Sequence, residues 1–145
     1  MLLDAGPLGL ATNPRQSPQA VACAEWLEAL ASAGTRLVIP EIADYEVRRE
    51  LLRANRGSGL QRLDALIGAV EYLPLTTAAM RQAAVYWALA RQQGQPTAGD
   101  RTIDGDMILA GQASTLGTPD FVVATTNVRH LVRFVAAELW PNVQA

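Results

Sequence analysis

Four polar residues stand where the pattern of this chain would place a reaction: Asp4, Glu46, Asp106 and Asn127. Asp4 closes a short apolar run, Glu46 lies inside a helical pattern, and Asp106 falls in the first turn of another. Asn127 lies just past an apolar, strand-like segment. Carboxylates and an amide oxygen, with no histidine or cysteine among them, suit a hard divalent cation such as Mg²⁺ or Mn²⁺. Like charges gathered in this way raise one another's pKa, and a bound cation is the natural neutraliser. Such a site can activate water and stabilise in-line displacement at a phosphodiester, with two metals ~4 Å apart when both are present.

Each of these residues also has a structural reading. Asp4 can start a turn, and Glu46 can join Arg49, Glu50 and Arg53 in a solvated ion-pair ladder. Asp104 and Asp106 can be helix-start acids favoured by capping and the helix dipole. Asn127 can be a plain N-cap. What favours an acid site is the lack of other chemistry. All twelve basic residues are arginine, so Walker-type phosphate loops and Schiff-base lysines are excluded. A phospho-acceptor receiver pocket, which a lysine completes, is excluded too. Cys23 and His130 are single, which rules out an intramolecular disulfide, a cysteine-rich zinc site and two-histidine catalysis. No Gly-x-Ser-x-Gly elbow is present, and no G-x-G-x-x-G fingerprint.

The elements that must hold these residues follow from punctuation and periodicity. Leu2-Leu3 reads as a strand running into a loop at Gly6, Pro7 and Gly9. Ser17-Pro18 starts a helix that Gly34 ends, and Thr35 to Ile39 is a second strand. Glu41 to Asn55 is helical, with Gly57 and Gly59 as its stop, and Gln61 to Val70 is a further helix. Tyr72 to Leu75 is a strand whose proline places it at a sheet edge. A helix capped by Thr76 or Thr77 runs to about Gln93. Gly94 to Arg101 is a flexible loop. Asp104 opens a helix to Leu116, and Phe121 to Ala124 is a buried strand. A short helical turn follows Asn127, and Ala137 to Trp140 is a last strand. Alternating strands and helices predict one α/β domain over residues 1–145, a parallel sheet of four or five strands flanked by helices.

With 145 residues, 50 % hydrophobic and 18 % charged, the chain has the profile of a compact soluble domain. No stretch approaches the ~20 apolar residues of a membrane span, and the start lacks a basic signal region, so a cytoplasmic protein is expected. A net charge of −2 argues against coating nucleic acid by bulk charge but leaves room for a local arginine stripe. Arg48, Arg49, Arg53, Arg56 and Arg62 form the densest basic run. They can hold RNA phosphates or stack on bases, or they can pair with Asp44, Glu46 and Glu50. His130, three residues beyond Asn127, can touch a phosphate or simply pack.

The start MLLDAGPLG, the segment PEIADYEVRREL, the run DGDMILAGQA and the ending VVATTNVRHL resemble, in that order, the motif regions of PIN-domain proteins. They are most similar to the toxin nucleases of VapBC-type toxin–antitoxin pairs. The resemblance implies a Mg²⁺- or Mn²⁺-dependent ribonuclease, often dimeric, with an acidic pocket at the strand ends. Asp4, Glu46 and Asp106 would ligate the metal, Asp104 being an additional candidate. Asn127 would take the fourth position, where many members carry aspartate. Thr125, Arg49, Arg53 and His130 are the candidate substrate contacts, and a small antitoxin the candidate partner. The alternative is a catalytically silent PIN-like module that binds RNA or a protein.

Overall fold

The computed structural model describes residues 1–15, 17–92, 100–118 and 120–144, of which 100–103 are described by backbone only. The elements are β1 (Leu2–Leu3), α1 (Ala5–Ala11), α2 (Pro18–Ser32), β2 (Val38–Pro40), α3 (Glu41–Arg53) and α4 (Gly57–Ala69). There follow β3 (Glu71–Leu73), α5 (Thr77–Gln92), α6 (Asp100–Ser114), β4 (Val123–Thr125) and β5 (Ala137–Leu139). Turns of 3₁₀ helix at Leu131–Arg133 and Trp140–Asn142 flank β5.

Five strands form one sheet in the order β3-β2-β1-β4-β5, and every pairing is parallel. β1 is central, with β2 on one side and β4 on the other. The connections diverge there, which makes its carboxyl end a switch point where parallel sheets leave a crevice. β3 lies at the edge, with Pro74 directly after it.

Successive strand residues face opposite ways, so the sheet separates two cores. Leu3, Ile39 and Ala124 face Leu8, Cys23, Leu27 and Leu63 on the α1, α2 and α4 side. Leu2, Val38 and Val123 face Ile42, Leu109, Ala110 and Ala113 on the α6 side. α5 lies on α6 at close range: a Cβ at Gly111 would overlap the Ala79 carbonyl and stand 3.0 Å from the Ala83 nitrogen.

The strands are shorter than the sequence reading or shifted by up to three residues: β2 begins at Val38 rather than Thr35, β3 ends at Leu73 before Pro74, and β4 begins at Val123 rather than Phe121. Three larger differences concern the helices. The segment after Asp4 is a helix rather than a loop. Pro7 falls in its first turn, where a missing N–H costs nothing, and the Asp4 side chain caps Ala5 N. Gly57 and Gly59 open α4 instead of ending α3; the chain reverses one step earlier, at Asn55 with φ 51°. α6 begins at Asp100, a full turn before Asp104. The expected loop from Gly94 lies outside the described residues until Asp100, where helix has already begun. The Ser17 cap with Pro18, the Gly34 stop and the Thr76 cap on Ala79 N stand as read.

Candidate active site

Three elements bring the three carboxylates together. Asp4 follows the central strand, and its backbone N–H donates to the Ala124 carbonyl of β4 at 3.0 Å. One carboxylate oxygen accepts from Ala5 N at 2.6 Å, and the other accepts from the Thr125 hydroxyl at 2.6 Å. Both Asp4 oxygens are thereby oriented, each with lone-pair capacity to spare. Burial raises the Asp4 pKa, opposed by these two hydrogen bonds.

Glu46 reaches in from α3. Its place depends on α6 carrying no side chain at Gly105, where a Cβ would stand 2.6 Å from Glu46 Oε1. Burial first, and then the charge of Asp4, raise its pKa, while Arg49 beside it at 3.5 Å lowers it. Asp106 follows on α6. Burial together with the charges of Asp4 and Glu46 pushes its carboxyl up to about 7. All three acids therefore lie in one field, though 102 residues separate the first from the last in sequence. Clustered, desolvated acids with raised pKa values mark a functional cleft more often than a structural one.

The donor set fits a hard divalent cation, being oxygen throughout. Among the described residues no group of three or more acids, histidines or cysteines is already closed into a metal-ligating arrangement. Asp104, two residues earlier on α6, is exposed; it lines one surface cleft with Met80, Trp87 and Ile108 and another with Glu46, Arg49 and Glu50.

The remaining candidates divide. Thr125 is buried, and its hydroxyl links Asp4 to the Asn127 N–H, which donates to it at 3.0 Å. Asn127 itself is exposed, and its side-chain oxygen accepts from Arg129 N at 3.2 Å, closing a local turn. That turn sets the chain direction after β4. His130 is half-buried and leads into the 3₁₀ turn without a side-chain cap bond.

Helix geometry splits the arginine run. Arg48 turns away to pair with Asp44 at 3.0 Å and Asp64 at 2.7 Å. Arg62 donates to the Asn13 carbonyl at 2.9 Å and braces the loop after α1. Arg49, Arg53 and Arg56 share a groove of about 550 Å³ between α1 and α3, whose inner wall includes Glu46.

Two residues the sequence reading passed over shape the site. Arg15 lines the same groove. Gln112, fully buried, accepts from Ile42 N at 3.2 Å and donates to the Leu73 carbonyl at 2.8 Å. Pro40, the N-cap of α3, offers no side-chain cap, so Gln112 satisfies a first-turn N–H of that helix from α6. A glutamine inside an apolar helical face was the available signal, because a buried amide must be paired.

No family model and no curated protein matches the sequence. Solved structures do match. One is the VapBC2 complex from Rickettsia felis bound to a DNA fragment from its promoter: TM-score 0.71, 17 % identity, covering 96 % of this chain and 97 % of that one. Another is the DNA-bound VapBC complex from Salmonella typhimurium: TM-score 0.68, 22 % identity, covering 96 % of each chain. At such identities the likeness is one of architecture, and it extends over 96 % of this chain. The chain therefore has a PIN-like α/β fold, the architecture it shares with those VapBC complexes.

Proposed function

We propose that this protein is a metal-dependent endoribonuclease that hydrolyses RNA phosphodiester bonds at Asp4, Glu46 and Asp106. The observation that carries the reading is the convergence of these acids, from three separate elements, at the carboxyl end of the central strand. There burial raises the pKa of all three, and neighbouring carboxylates add to it at Glu46 and at Asp106, which is pushed up to about 7. Asp4 also caps α1, but capping needs no second acid beside it; among the described residues the one arginine pairing with the three is Arg49, 3.5 Å from Glu46.

A bound Mg²⁺ or Mn²⁺ would supply charge neutralisation and a lowered pKa for water. Asp4 and Asp106 hold the ion in this proposal, and Glu46 ligates it or positions the attacking water. Thr125 keeps Asp4 in one rotamer, and Asn127 completes the polar rim as a neutral group. The likeness to VapBC complexes supports a toxin–antitoxin role, in which a small antitoxin covers the cluster.

The test is cleavage of a panel of structured RNAs with Mg²⁺ or Mn²⁺, comparing wild type with Asp106→Asn purified identically. Metal-dependent cleavage that is lost in the variant supports the proposal. Equal cleavage by both overturns the site. Absence of cleavage, together with no Mn²⁺-induced rise in Tm, indicates the silent binding module instead.

A further inference from the structure

Two grooves meet at Glu46, one on each side of α3, and they differ in charge. The groove toward α1 holds four arginines, Arg15, Arg49, Arg53 and Arg56, against two acids, Glu46 and Glu50. The groove toward α6 holds one arginine, Arg49, against three acids, Glu46, Glu50 and Asp104. A polyanion is attracted along the first and repelled along the second.

The arginine spacing has a periodic origin. Arg49 and Arg53 are one helical turn apart, about 6 Å along α3, and Arg56 follows on the same side just past its end. Arg53 is held by Glu50 in an exposed pair, which costs little to exchange for a phosphate. Arg15 and Arg56 have no ion-pair partner among the described residues. Between the guanidinium groups the floor is small and apolar, formed by Ala5, Gly6, Gly9, Val47 and Leu51. Guanidinium groups for phosphates over an apolar floor for base faces is the chemistry of an unpaired strand. A duplex, with its bases enclosed, would use only the charge.

The geometry points to a one-sided track: an unpaired RNA strand lies in the α1/α3 groove, its phosphates on Arg15, Arg53 and Arg56, and reaches the acids past Arg49. The α3/α6 side takes no part in holding it. This inference rests on the ribonuclease reading, and adds Arg15 and Arg56 as substrate-positioning residues together with the direction of approach.

The experiment measures binding of a labelled, mixed-sequence single-stranded RNA oligonucleotide in EDTA over a range of salt, and then its cleavage in Mn²⁺. Arg15→Ala and Arg56→Ala should each weaken binding about 3- to 10-fold and flatten the plot of log K against log salt by about 0.7. Arg15→Lys should bind within about twofold of wild type, which separates lost charge from lost folding. Arg36→Ala, at the opposite ends of the strands, should bind as wild type. In cleavage, the two alanine variants should raise KM and leave kcat unchanged. Alanine variants that bind and cleave as wild type overturn the track while the nuclease reading stands. Weakened binding by those variants, with no cleavage by any form and no Mn²⁺-induced rise in Tm, overturns the nuclease reading and supports the track. An acidic peptide or an RNA duplex that competes as well as the single strand overturns the choice of an unpaired strand.

Discussion

Gly105 lies beneath the Glu46 carboxylate so closely that a Cβ would stand 2.6 Å from Oε1 and 3.3 Å from the carboxyl carbon. The space at one residue of α6 is thus filled by the working end of another on α3. A methyl group there would evict a flexible side chain and disturb little backbone. Gly105→Ala should therefore separate fold from function. Helix propensity favours alanine by about 1 kcal/mol, so the Tm should hold or rise. Glu46 should be displaced and RNA cleavage should fall at least tenfold. A variant that cleaves normally would show that Glu46 is not needed where it stands.

The hydroxyl of Thr125 acts on the same cluster from below. Thr125→Val keeps the volume but removes the hydrogen bond that lowers the Asp4 pKa. The stability cost should be about 1 kcal/mol by urea denaturation. The more telling effect should be a shift of the pH midpoint for Mn²⁺ binding to higher pH, because Asp4 must ionise against burial with one donor fewer. Thr125→Ser should restore the midpoint. An unchanged midpoint in the valine variant would disconnect Thr125 from the metal.

Stability without metal should fall as pH rises from about 4 to above 7. Asp106 is raised from 3.8 to about 7 in the folded chain, so over that interval the native state binds more protons than the unfolded state. Stability is full below the unfolded pKa and is lost through the folded one. Asp4 and Glu46, also raised, act in the same direction. Asp106→Asn should flatten the Tm–pH profile in EDTA, and added Mn²⁺ should reverse its slope, because the cation binds the ionised acids. A profile in EDTA that climbs between pH 5 and 8 would contradict the cluster.

Gln112→Leu should destabilise by about 3 kcal/mol in urea denaturation. It strands Ile42 N and the Leu73 carbonyl without their partners, and each unpaired buried group costs about 1–3 kcal/mol. Gln112→Glu should cost no less, since it offers no donor to Leu73 unless protonated. A loss under 1 kcal/mol would mean that water replaces the amide.

Much of this was legible from local signals. Ser17-Pro18 and Gly34 act through backbone chemistry that holds regardless of context, and each stands where it was read. The strand read around Pro74 does lie at the sheet edge but stops at Leu73, before the proline. The acids were legible because the chain offers so little else. Signals that depend on the partner across space were misread. Gly6, Pro7 and Gly9 spell a loop locally, yet α1 forms because Asp4 caps it and because it packs against β4, with no room at Gly6 for a Cβ beside Thr126. Gly57 and Gly59 likewise read as a stop, although both lie inside α4, where a Cβ at Gly59 would meet the end of the Leu51 side chain at 2.6 Å. The arginine run could be divided only once α3 had a direction: Arg48 falls on the face of Asp44 and Asp64, while its neighbours fall on the groove. Arg15 joined them from a different part of the chain, which no spacing along α3 could announce.

The Thr125–Asp4 bond spans 121 residues, and it ties the centre of the sheet to a strand near the other end of the sequence. Closing so long a loop is entropically costly and slow compared with forming any of the helices. A growing chain on the ribosome consequently carries Asp4 and Glu46 exposed for most of its synthesis with no third acid beside them. The cluster comes into being almost at the last step, when β4 inserts beside β1. Whatever chemistry the cluster performs would thus become available only when synthesis of that copy is nearly over.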